Sequence, residues 1–398
     1  MTSRPPKIVD PISKREINRL FYAAERRELP FATQAGFEPY QEGVVRIIRD
    51  IARQQGSERL RIMELGANDC SFAMDIMGRL ANDGIRTGVD YLAVDFSASA
   101  LDKGYARYSQ MPGKGFEMVR NVEVPDSAKP NGKQDNVIYL VQRDAAGFKD
   151  AWASGLDVVI MNELLDDLSY DVYFTDKDGR AYRLECSVSR PQLRWQVNID
   201  AERVDRKELP VQMPPRSVTA TSAEAMGIIE NAAALLRKGG VMLVHDYGFA
   251  DRYDSVDTYG TPNVSYKITQ VNFPKHPQLS MPYDFFRVYE DVAEFAFEPA
   301  SNMIQVTSPV NFGEIEARLE KEGKVLILPH GRIILHKMQR GESLAKGDDV
   351  FMSEFGLMEQ DETVAGIMDS LKPRQQEIID YHGKLYSPDF YDLVFLKR

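Results

Sequence analysis

The apolar residues at the start of the chain follow the spacing of a helix. Residues 1–58 are predicted to form a helical segment, and the spacing is clearest over residues 38–55. There the apolar side chains share one broad face, and the charged side chains lie elsewhere. Members of this face are Val44, Val45, Ile47, Ile48, Ile51 and Ala52. The pattern predicts an amphipathic helix that leads into a hydrophobic core.

After residue 58, short apolar runs alternate with longer runs of helical spacing. Strands are predicted over residues 60–65, 91–95, 136–141, 156–161, 241–245, 324–328 and 391–396, and helices over 70–80, 97–109, 223–237 and 312–322. The run at 156–161 is continuously apolar, which is typical of a strand buried on both faces. This alternation predicts an α/β fold with a Rossmann-like, doubly wound and mostly parallel sheet.

Two segments interrupt the alternation and define the predicted domain organisation. Residues 170–216 alternate polar and apolar positions around the turn Asp176-Lys177-Asp178-Gly179, which indicates an insertion of antiparallel hairpins. Residues 251–300 are rich in Pro, Tyr and Phe, which is typical of a lid on the substrate side or of a plain long loop. The core is predicted to span residues 59–398 around these insertions, with a charged, helical region at 339–372.

Composition and charge narrow the class of protein. The chain has 398 residues, of which 43% are hydrophobic, and a net charge of −11. This acidic balance argues against a surface for duplex nucleic acid. The two cysteines, Cys70 and Cys186, exclude a disulfide framework and a cysteine-rich zinc site, and they favour reduced thiols. No apolar run is long enough to span a membrane, and we expect a cytoplasmic protein, or one of the mitochondrial matrix in a eukaryote.

The sequence RIMELGANDC at residues 61–70 is the first candidate site. A predicted strand runs into a glycine turn and then a helix, so backbone N–H groups and the positive end of a helix face a ligand. Gly66 allows close approach of the backbone, and Glu64 and Asn68 flank it. The three-glycine pattern of nicotinamide-binding domains is absent, whereas an acid before the glycine suits a cationic sulfonium and amino acid. An ordinary strand–helix turn is the alternative.

The next two predicted strands end in further candidates for a cofactor site. Asp95 ends its strand, where a carboxylate can accept hydrogen bonds from both ribose hydroxyls, and Phe96 follows it. The alternative is that Asp95 caps the next helix, although Ser97 is also placed to do so. Asp144 is a candidate to hydrogen-bond an adenine amino group, with Ala145 presenting its backbone N–H. An acid in a solvated loop is the alternative for Asp144.

The fourth predicted strand ends in an acid-rich segment. Asn162, Glu163 and Asp166 lie there, and ligand crevices of open α/β sheets lie outside the carboxyl ends of the strands. Carboxylates gathered at such a place are costly unless a cation pairs with them. Asn162 is assigned to the cofactor, and Glu163 and Asp166 are the candidate catalytic acids. An acid-rich helix N-terminus, favoured by the helix dipole, is the alternative.

The fifth predicted strand ends at His245-Asp246-Tyr247-Gly248. Asp246 and Tyr247 are candidates to shape the substrate pocket, and Gly248 permits a tight turn there. His245 is equally compatible with a hydrogen-bonded core histidine and with a catalytic base. Because these segments follow successive strands, they are predicted to meet at one edge of the sheet.

Taken in order, the motifs of the chain resemble the MidA family, whose mitochondrial members assist complex I assembly as arginine methyltransferases. The family shows a strand ending E-L-G, an N-E-F-F-D-A-L-P segment, a D-Y-G strand end, a following G-T and a later V-D-F. The matching positions are Glu64-Leu65-Gly66, residues 162–168, Asp246-Tyr247-Gly248, Gly260-Thr261 and Val310-Asn311-Phe312, and Phe31-Ala32-Thr33 is loosely similar to a further element.

Three features of the chain depart from the family pattern. No further glycine follows Gly66 in its loop, Leu164 and Leu165 replace the two Phe residues, and Asn311 replaces the acid. These departures concern the substrate more than the cofactor, and they are compatible with a divergent bacterial branch of the family.

The resemblance implies a class I methyltransferase that uses S-adenosyl-L-methionine, with protein arginine as the methyl acceptor. A small-molecule O- or N-methyltransferase, and a non-catalytic assembly or binding factor on the same fold, stay open as alternatives. The sequence shows no cluster of metal ligands. The expected partner is a protein or small-molecule methyl acceptor rather than nucleic acid or a membrane, and a homodimer is compatible with the sequence.

Overall fold

The protein is described here by a computed structural model, which covers residues 12–23, 34–36, 38–55, 59–82, 88–113, 115–120, 136–148, 154–189, 196–255, 271–272, 287–290, 304–328 and 390–398. The helices are α1 (Lys14–Ala23), α2 (Glu38–Gln55), α3 (Ser71–Asn82), α4 (Ala98–Gln110), α5 (Ala223–Leu235) and α6 (Phe312–Leu319). Short 3₁₀ helices cover Gln34–Gly36, Ala145–Gly147, Leu165–Asp167 and Arg206–Glu208.

The strands of the described residues have the following bounds in chain order. They are β1 (Ile12–Ser13), β2 (Arg59–Leu65), β3 (Gly88–Asp95), β4 (Glu117–Val119), β5 (Val137–Gln142), β6 (Leu156–Asn162), β7 (Asp171–Thr175), β8 (Ala181–Ser189), β9 (Gln196–Val204), β10 (Ser217–Thr221), β11 (Leu236–Phe249), β12 (Asp254–Ser255), β13 (Val271–Asn272), β14 (Arg287–Glu290), β15 (Ile304–Thr307), β16 (Val310–Asn311), β17 (Gly323–Leu328) and β18 (Phe390–Lys397).

The chain forms two compact units, each described by itself. The core unit comprises the described residues of Ala32–Leu164, Gly227–Tyr247 and Glu316–Arg398. The insertion unit comprises those of Met1–Phe31, Leu165–Met226 and Gly248–Ile315. The predicted N-terminal helical segment is thereby divided, because α1 belongs to the insertion unit and α2 to the core unit.

The core unit is built on a sheet with the strand order β17-β18-β11-β6-β2-β3-β5-β4. Neighbouring strands from β11 to β4 are parallel, whereas β18 runs antiparallel to both β11 and β17. The carboxyl ends of β2, β3, β5, β6 and β11 therefore lie at one edge, which we call the carboxyl edge. This arrangement confirms the predicted α/β fold with its mostly parallel sheet.

Both faces of the central strands are buried. Ile62 and Tyr91 on one face join a hydrophobic cluster with Val44 and Ile48 of α2 and Ile76 of α3. The alternate residues of the same strands are buried as well, and among them are Met63, Leu92, Val159 and Met242. Burial on both faces explains why these strands read as continuous apolar runs. The apolar face predicted for residues 38–55 is the face that α2 buries.

The insertion unit contains a second sheet, with the order β12-β10-β7-β8-β9-β13 and with β1 paired to β8. Strands β7 and β8 form the antiparallel hairpin that the sequence predicted. Its turn is closed by Asp176, whose carboxylate accepts hydrogen bonds from the N–H groups of Asp178 and Arg180, at 2.9 and 2.8 Å. An Asp at this position satisfies backbone donors that a hairpin leaves open.

Two sequence predictions were wrong, one about the helix before β11 and one about β11 itself. The helix predicted over 223–237 ends at Leu235, because Gly239 and Gly240 lie in an irregular start of β11 rather than in a helix stop. Gly248 lies inside β11 rather than in a tight turn. A side chain at Gly248 would overlap the carbonyl of Val310 in the paired strand β16, so close approach of two backbones explains this glycine.

Several predictions fall outside the described residues. These are most of the lid predicted at 251–300, the charged region at 339–372, and the family-like positions 31–33 and 260–261. Within the described part of the chain, no helix is long and apolar enough to cross a membrane.

Candidate active site

The glycine turn after β2 folds through a run of left-handed backbone conformations. Gly66 has φ +77°, Asn68 +47° and Cys70 +57°. The N–H groups of Gly66 and Ala67 both donate to the carbonyl of Val94 in the adjacent strand, at 2.9 and 3.0 Å. The turn is therefore fixed to the end of β3 before the helix α3 begins at Ser71.

Asp95, at the end of β3, anchors this turn through its side chain. One carboxylate oxygen accepts the N–H of Asn68 and the other accepts the N–H of Ser97, both at 2.8 Å. Ser97 in turn caps α4, since its hydroxyl accepts the N–H of Ala100 at 3.3 Å. Burial raises the pKa of Asp95, and backbone hydrogen bonds from Ser97, Asn68 and Phe96 oppose that rise. The cap of α4 is thus Ser97. The Asp95 carboxylate has about four acceptor sites, so it keeps acceptor capacity for ribose beyond these backbone contacts.

Glu64 lies below the turn, and its side chain is 2% exposed. The hydroxyl of Tyr91 donates to its carboxylate at 3.0 Å. Burial raises the pKa of Glu64 to about 8, while hydrogen bonds from Tyr91 and Asn162 oppose the rise and the charges of Asp95 and Asp69 add to it. A buried acid of this kind gains most from a cationic ligand, because the ligand offsets the cost of ionising it.

Helix α4 presses directly on the glycine turn. A Cβ atom on Gly104 would lie 2.5 Å from the carbonyl oxygen of Asp69 and 3.2 Å from the Cβ of Cys70. Arg107, one turn further along α4, pairs with the carboxylate of Asp69 at 2.9 Å. Sequence reasoning missed both supports, and a glycine inside a predicted helix was the signal for the first of them.

Further along the carboxyl edge, the predicted adenine-binding residues follow β3 and β5. Phe96 is 36% exposed, one of four large apolar residues with such exposure among the residues that the structure describes. Asp144 caps the 3₁₀ helix Ala145–Gly147, with its carboxylate accepting the N–H of Ala146 at 3.0 Å. The two loops are joined because the N–H of Arg143 donates to the carbonyl of Asp95 at 2.9 Å. Asp144 therefore caps a short helix beside the predicted ribose residue, and its contact with adenine stays a prediction.

Asn162 and Glu163 end β6 and are held by contacts from distant parts of the core unit. The hydroxyl of Tyr40 in α2 donates to Oδ1 of Asn162 at 2.6 Å. Glu163 has φ +47°, and its N–H donates to the carbonyl of His245 at 2.8 Å. The N–H of Ala35 donates to its carboxylate at 3.2 Å. These contacts fix the side chain and the backbone of the two residues together.

The glycine turn and the Asn162–Glu163 turn touch each other through Leu164. A Cβ atom on Gly66 would lie 3.0 Å from Cδ1 of Leu164. Leu164 stands where the family resemblance has a Phe, so this departure lies directly over the glycine. The contact places the two predicted halves of the site side by side.

His245 is a buried histidine with a hydrogen-bonding partner, which favours the interpretation as a core histidine. Its Nδ1 lies 2.6 Å from Oδ1 of Asp392 in β18, and both side chains are 2% exposed. The ring also packs against Tyr40, with 4.4 Å between the ring centroids. Asp392 was not foreseen, because nothing around it in the sequence distinguishes it from the charged residues of the C-terminal segment.

Asp246 and Tyr247, predicted as substrate residues, are 0% and 1% exposed. The carboxylate of Asp246 accepts the N–H of Tyr247 at 2.9 Å. The structure thus places both side chains in the interior, directly after His245 in β11. Their role toward a substrate stays a prediction.

Asp166, the second predicted catalytic acid, belongs to the insertion unit. Its carbonyl accepts hydrogen bonds from the ammonium group of Lys14 at 2.5 Å and from the N–H of Ser308 at 2.9 Å. Lys14 is buried and also donates to the carbonyl of Leu168 at 2.8 Å. The core unit therefore brings together the other predicted site residues, and Asp166 stays a separate prediction.

The Asn311 position, where the family resemblance has an acid, also lies in the insertion unit. Its amide donates to the carbonyl of Ala220 at 2.9 Å, and its Oδ1 accepts the N–H of Glu314 at 3.0 Å. An ionised Asp could accept the N–H of Glu314 but could not donate to the carbonyl of Ala220. The local structure thus accounts for Asn at this position. Among the described residues, no group of three or more His, Cys, Asp or Glu side chains could hold a metal ion.

A model of the family described as "Putative S-adenosyl-L-methionine-dependent methyltransferase" matches residues 44–272, more than half of the chain. The chain belongs to this family. The protein is therefore an S-adenosyl-L-methionine-dependent methyltransferase, and this cofactor is the one that the motifs predicted. The matched range contains every predicted site residue, but neither Tyr40 nor Asp392.

Solved structures share the fold of the methyltransferase. An uncharacterised protein from Burkholderia thailandensis is 16% identical, with a TM-score of 0.54 over 97% of this chain and 87% of that one. A second protein from the same organism, bound to S-adenosyl-homocysteine, is 16% identical. Its TM-score is 0.51 over 92% of this chain and 79% of that one. No curated protein matches the chain. The name MidA and the arginine acceptor stay predictions.

The residues of the core unit fit the cofactor. Glu64 is a buried acid whose ionised form a sulfonium or ammonium group would favour. Asp95 retains acceptor capacity beside the turn for ribose hydroxyls, and the open face of Phe96 suits a purine ring. The order of these groups along the carboxyl edge follows the order of the chemical parts of the cofactor.

Proposed function

We propose that this methyltransferase transfers the methyl group to a nitrogen of a cationic acceptor, and that the acceptor is the guanidinium group of a protein arginine. The conformation of Glu163 carries the proposal. It is a non-glycine residue in the left-handed region, with φ +47°, at the carboxyl end of β6. Such a conformation costs about 1–3 kcal/mol and is found mainly at functional sites, where the surrounding structure maintains it.

The charges around Glu163 support a cationic acceptor. The pKa of the Tyr40 hydroxyl is raised, first by burial and then by the negative charges of Asp392, Glu64 and Glu163. Three carboxyl groups therefore act on one buried hydroxyl in this part of the core unit. A cation that enters beside Glu163 lowers the free energy of its ionised carboxylate, whereas a neutral or anionic acceptor does not.

S-adenosyl-L-methionine supplies an electrophilic methyl group on a sulfonium. Transfer forms a bond from the acceptor nitrogen to this carbon, leaves the electron pair of the broken C–S bond on sulfur, and releases a proton from the nitrogen. Glu163 would hold the guanidinium through charge-assisted hydrogen bonds and concentrate electron density on one nitrogen. Because Ala35 and His245 already fix Glu163, little reorganisation is needed when the acceptor binds.

Methyl-labelled cofactor tests the proposal directly. The full-length protein is incubated with labelled S-adenosyl-L-methionine and a cell lysate, and the labelled proteins are then hydrolysed to amino acids. Label in methylated arginine is the expected result. Label confined to small molecules refutes the arginine acceptor and favours a small-molecule O- or N-methyltransferase, and label in another amino acid refutes arginine alone.

Glu163→Gln is the matched variant for this experiment. Its side-chain carbonyl can still accept the N–H of Ala35, so the loop contact is preserved while the charge is lost. We expect methyl transfer to fall by about 100-fold or more, with the affinity for S-adenosylhomocysteine changed little. Unchanged transfer would show that the charge of Glu163 does not hold the acceptor.

A further inference from the structure

We propose that Asp392, His245 and Tyr40 form a positioning network that fixes Asn162 and Glu163 at the methyl-transfer end of the site. The inference rests on the proposed function, which sets Asn162 against the cofactor and Glu163 against the acceptor. The network joins β18, β11 and α2 to the end of β6, within the core unit. Two of its members, Tyr40 and Asp392, lie outside the residues that the family model matches.

The network begins with a row across three neighbouring strands. Asp392 of β18 lies opposite His245 of β11, and His245 lies opposite Asn162 of β6. All three positions are buried, with 9% or less of each residue exposed. Because the strands are hydrogen-bonded neighbours, a shift of any one of these residues along its strand would require the sheet register to change.

Asp392 fixes the imidazole of His245. The 2.6 Å contact between Oδ1 and Nδ1 is short, and both groups are shielded from water. With the Nδ1 proton directed at the carboxylate, the ring orientation is set. A buried pair of this kind adds little stability compared with apolar residues of similar size. Folding alone therefore explains it poorly.

His245 then acts on the site in two ways. Its backbone carbonyl accepts the N–H of Glu163 at 2.8 Å, which stabilises the left-handed turn of that residue. Its ring packs against the ring of Tyr40, at 4.4 Å between centroids and 31° between planes. One residue thus supports both the backbone of Glu163 and the side chain of Tyr40.

Tyr40 completes the connection to Asn162. Its hydroxyl donates to Oδ1 of Asn162 at 2.6 Å, so the amide group of Asn162 is held in one orientation. The raised pKa of Tyr40 keeps this hydroxyl protonated, and it therefore acts as a donor across the working pH range. With Oδ1 of Asn162 facing Tyr40, the NH₂ group of the same amide points away from Tyr40. Asn162 lowers the pKa of Glu64 and so favours its ionised form.

A double-mutant cycle on S-adenosylhomocysteine affinity tests the network without any acceptor. Tyr40→Phe keeps the ring against His245 and removes only the hydroxyl, and Asn162→Ala removes the group that the hydroxyl orients. We expect each single variant of the full chain to weaken binding by about tenfold. The double variant should be no weaker than Asn162→Ala alone, because Tyr40 acts through Asn162.

Tyr108→Phe is the matched control. It also removes a tyrosine hydroxyl of the core unit, one that donates to the carbonyl of Phe116 at 3.2 Å, and it should leave the affinity unchanged. Losses that add up in the double variant, or wild-type affinity in Tyr40→Phe, would overturn the network.

A spectroscopic measurement covers the case in which a substitution impairs folding. In the wild-type protein with ¹⁵N-labelled histidine, the Nδ1 proton of His245 should give a far-downfield resonance that is absent in Asp392→Asn. This resonance should move when S-adenosylhomocysteine is added, and a resonance that stays fixed at saturation counts against the network. If the cycle shows coupling while no label reaches arginine, the network stands and only the proposed acceptor fails.

Discussion

Two parts of the same carboxyl edge are built by different kinds of contact. In the cofactor half, at the ends of β2 and β3, Asp95 accepts N–H groups from Ser97, two residues away, and Asn68, 27 residues away. In the transfer half, at the ends of β6 and β11, Tyr40 reaches Asn162 across 122 residues and His245 reaches Asp392 across 147. Asp95 is thus held by backbone N–H groups, whereas Asn162 and His245 are held by side chains more than 100 residues away in the sequence.

This difference has a consequence for function. The backbone N–H groups of a strand–turn–helix unit take up their positions whenever the unit folds. The cofactor half therefore depends on local geometry. The transfer half depends on α2, β11 and β18 arriving at the same place. We therefore expect substitutions in the cofactor half to alter cofactor affinity, and those in the transfer half to alter methyl transfer as well.

The largest expected effect on affinity comes from Gly66→Ala in the cofactor half. The new side chain would occupy a backbone conformation at φ +77° and lie 3.0 Å from Leu164. The conformational cost and the overlap together correspond to about 100-fold weaker binding of S-adenosylhomocysteine by calorimetry. Gly78→Ala in α3, with no atom within 4 Å of the new Cβ, should bind normally. Equal affinities for the two variants would show that the cofactor half does not depend on the backbone conformation of Gly66.

Gly104→Ala tests whether α4 shapes the glycine turn from behind. Its Cβ would lie 2.5 Å from the carbonyl oxygen of Asp69, so the turn must move. We expect a loss of about 1–3 kcal/mol in the free energy of unfolding, and about tenfold weaker binding. Urea unfolding and calorimetry measure the two effects.

Gly227→Ala serves as the control for Gly104→Ala. It places a methyl group on another helical glycine with no atom within 4 Å. Alanine is the better helix former, so the stability should stay equal or rise by up to about 1 kcal/mol. A Gly104→Ala protein as stable as this control would show that α4 does not constrain the turn.

The pH dependence of stability sharpens the comparison at Glu64. Its pKa is raised from 4.5 to about 8 in the folded protein, so the folded state binds more protons than the unfolded state between these values. The contribution of Glu64 to stability is thus complete below pH 4.5, falls as the pH rises, and is lost above about pH 8. The slope is at most about 1.4 kcal/mol per pH unit.

Glu64→Gln should remove this slope, because the amide does not titrate. The free energy of unfolding of the variant, relative to wild type, should therefore increase as the pH rises through this window. Urea unfolding at several pH values provides the measurement. Parallel curves for the two proteins would mean that Glu64 is already ionised in the folded state.

The smallest expected effect belongs to Phe96→Ala. The exposed ring of Phe96 is predicted to stack on adenine, so its removal should weaken S-adenosylhomocysteine binding by about threefold to tenfold. Met111→Ala removes a large apolar side chain with the same 36% exposure, and it should leave the affinity unchanged. If the two substitutions behave alike, Phe96 does not contact the cofactor.

The sequence predicted the elements that carry local signals. Strands β2, β3, β5 and β6 and helices α3 and α4 were placed within a few residues of their bounds, because each is a complete apolar run between recognisable turns. The three-residue parallel strand β4 was not predicted. The helix before β11 was overextended, since Gly239 and Gly240 resemble a helix stop but occupy an irregular strand start. The segment lacks any local feature that separates the two cases.

The chain by itself determined the α/β sheet and the glycine turn, because the residues responsible follow one another within single strand–turn–helix units. It also determined the choice of cofactor, because the motifs at the ends of successive strands follow a recognisable order. Tertiary structure decided which side chains support Asn162 and Glu163. Asp392 and Tyr40 carry no sequence pattern that links them to β6, and only the strand order β18-β11-β6 and the packing of α2 bring them there. Local geometry is encoded residue by residue, whereas a buried polar network is defined only when the strands that carry it are paired.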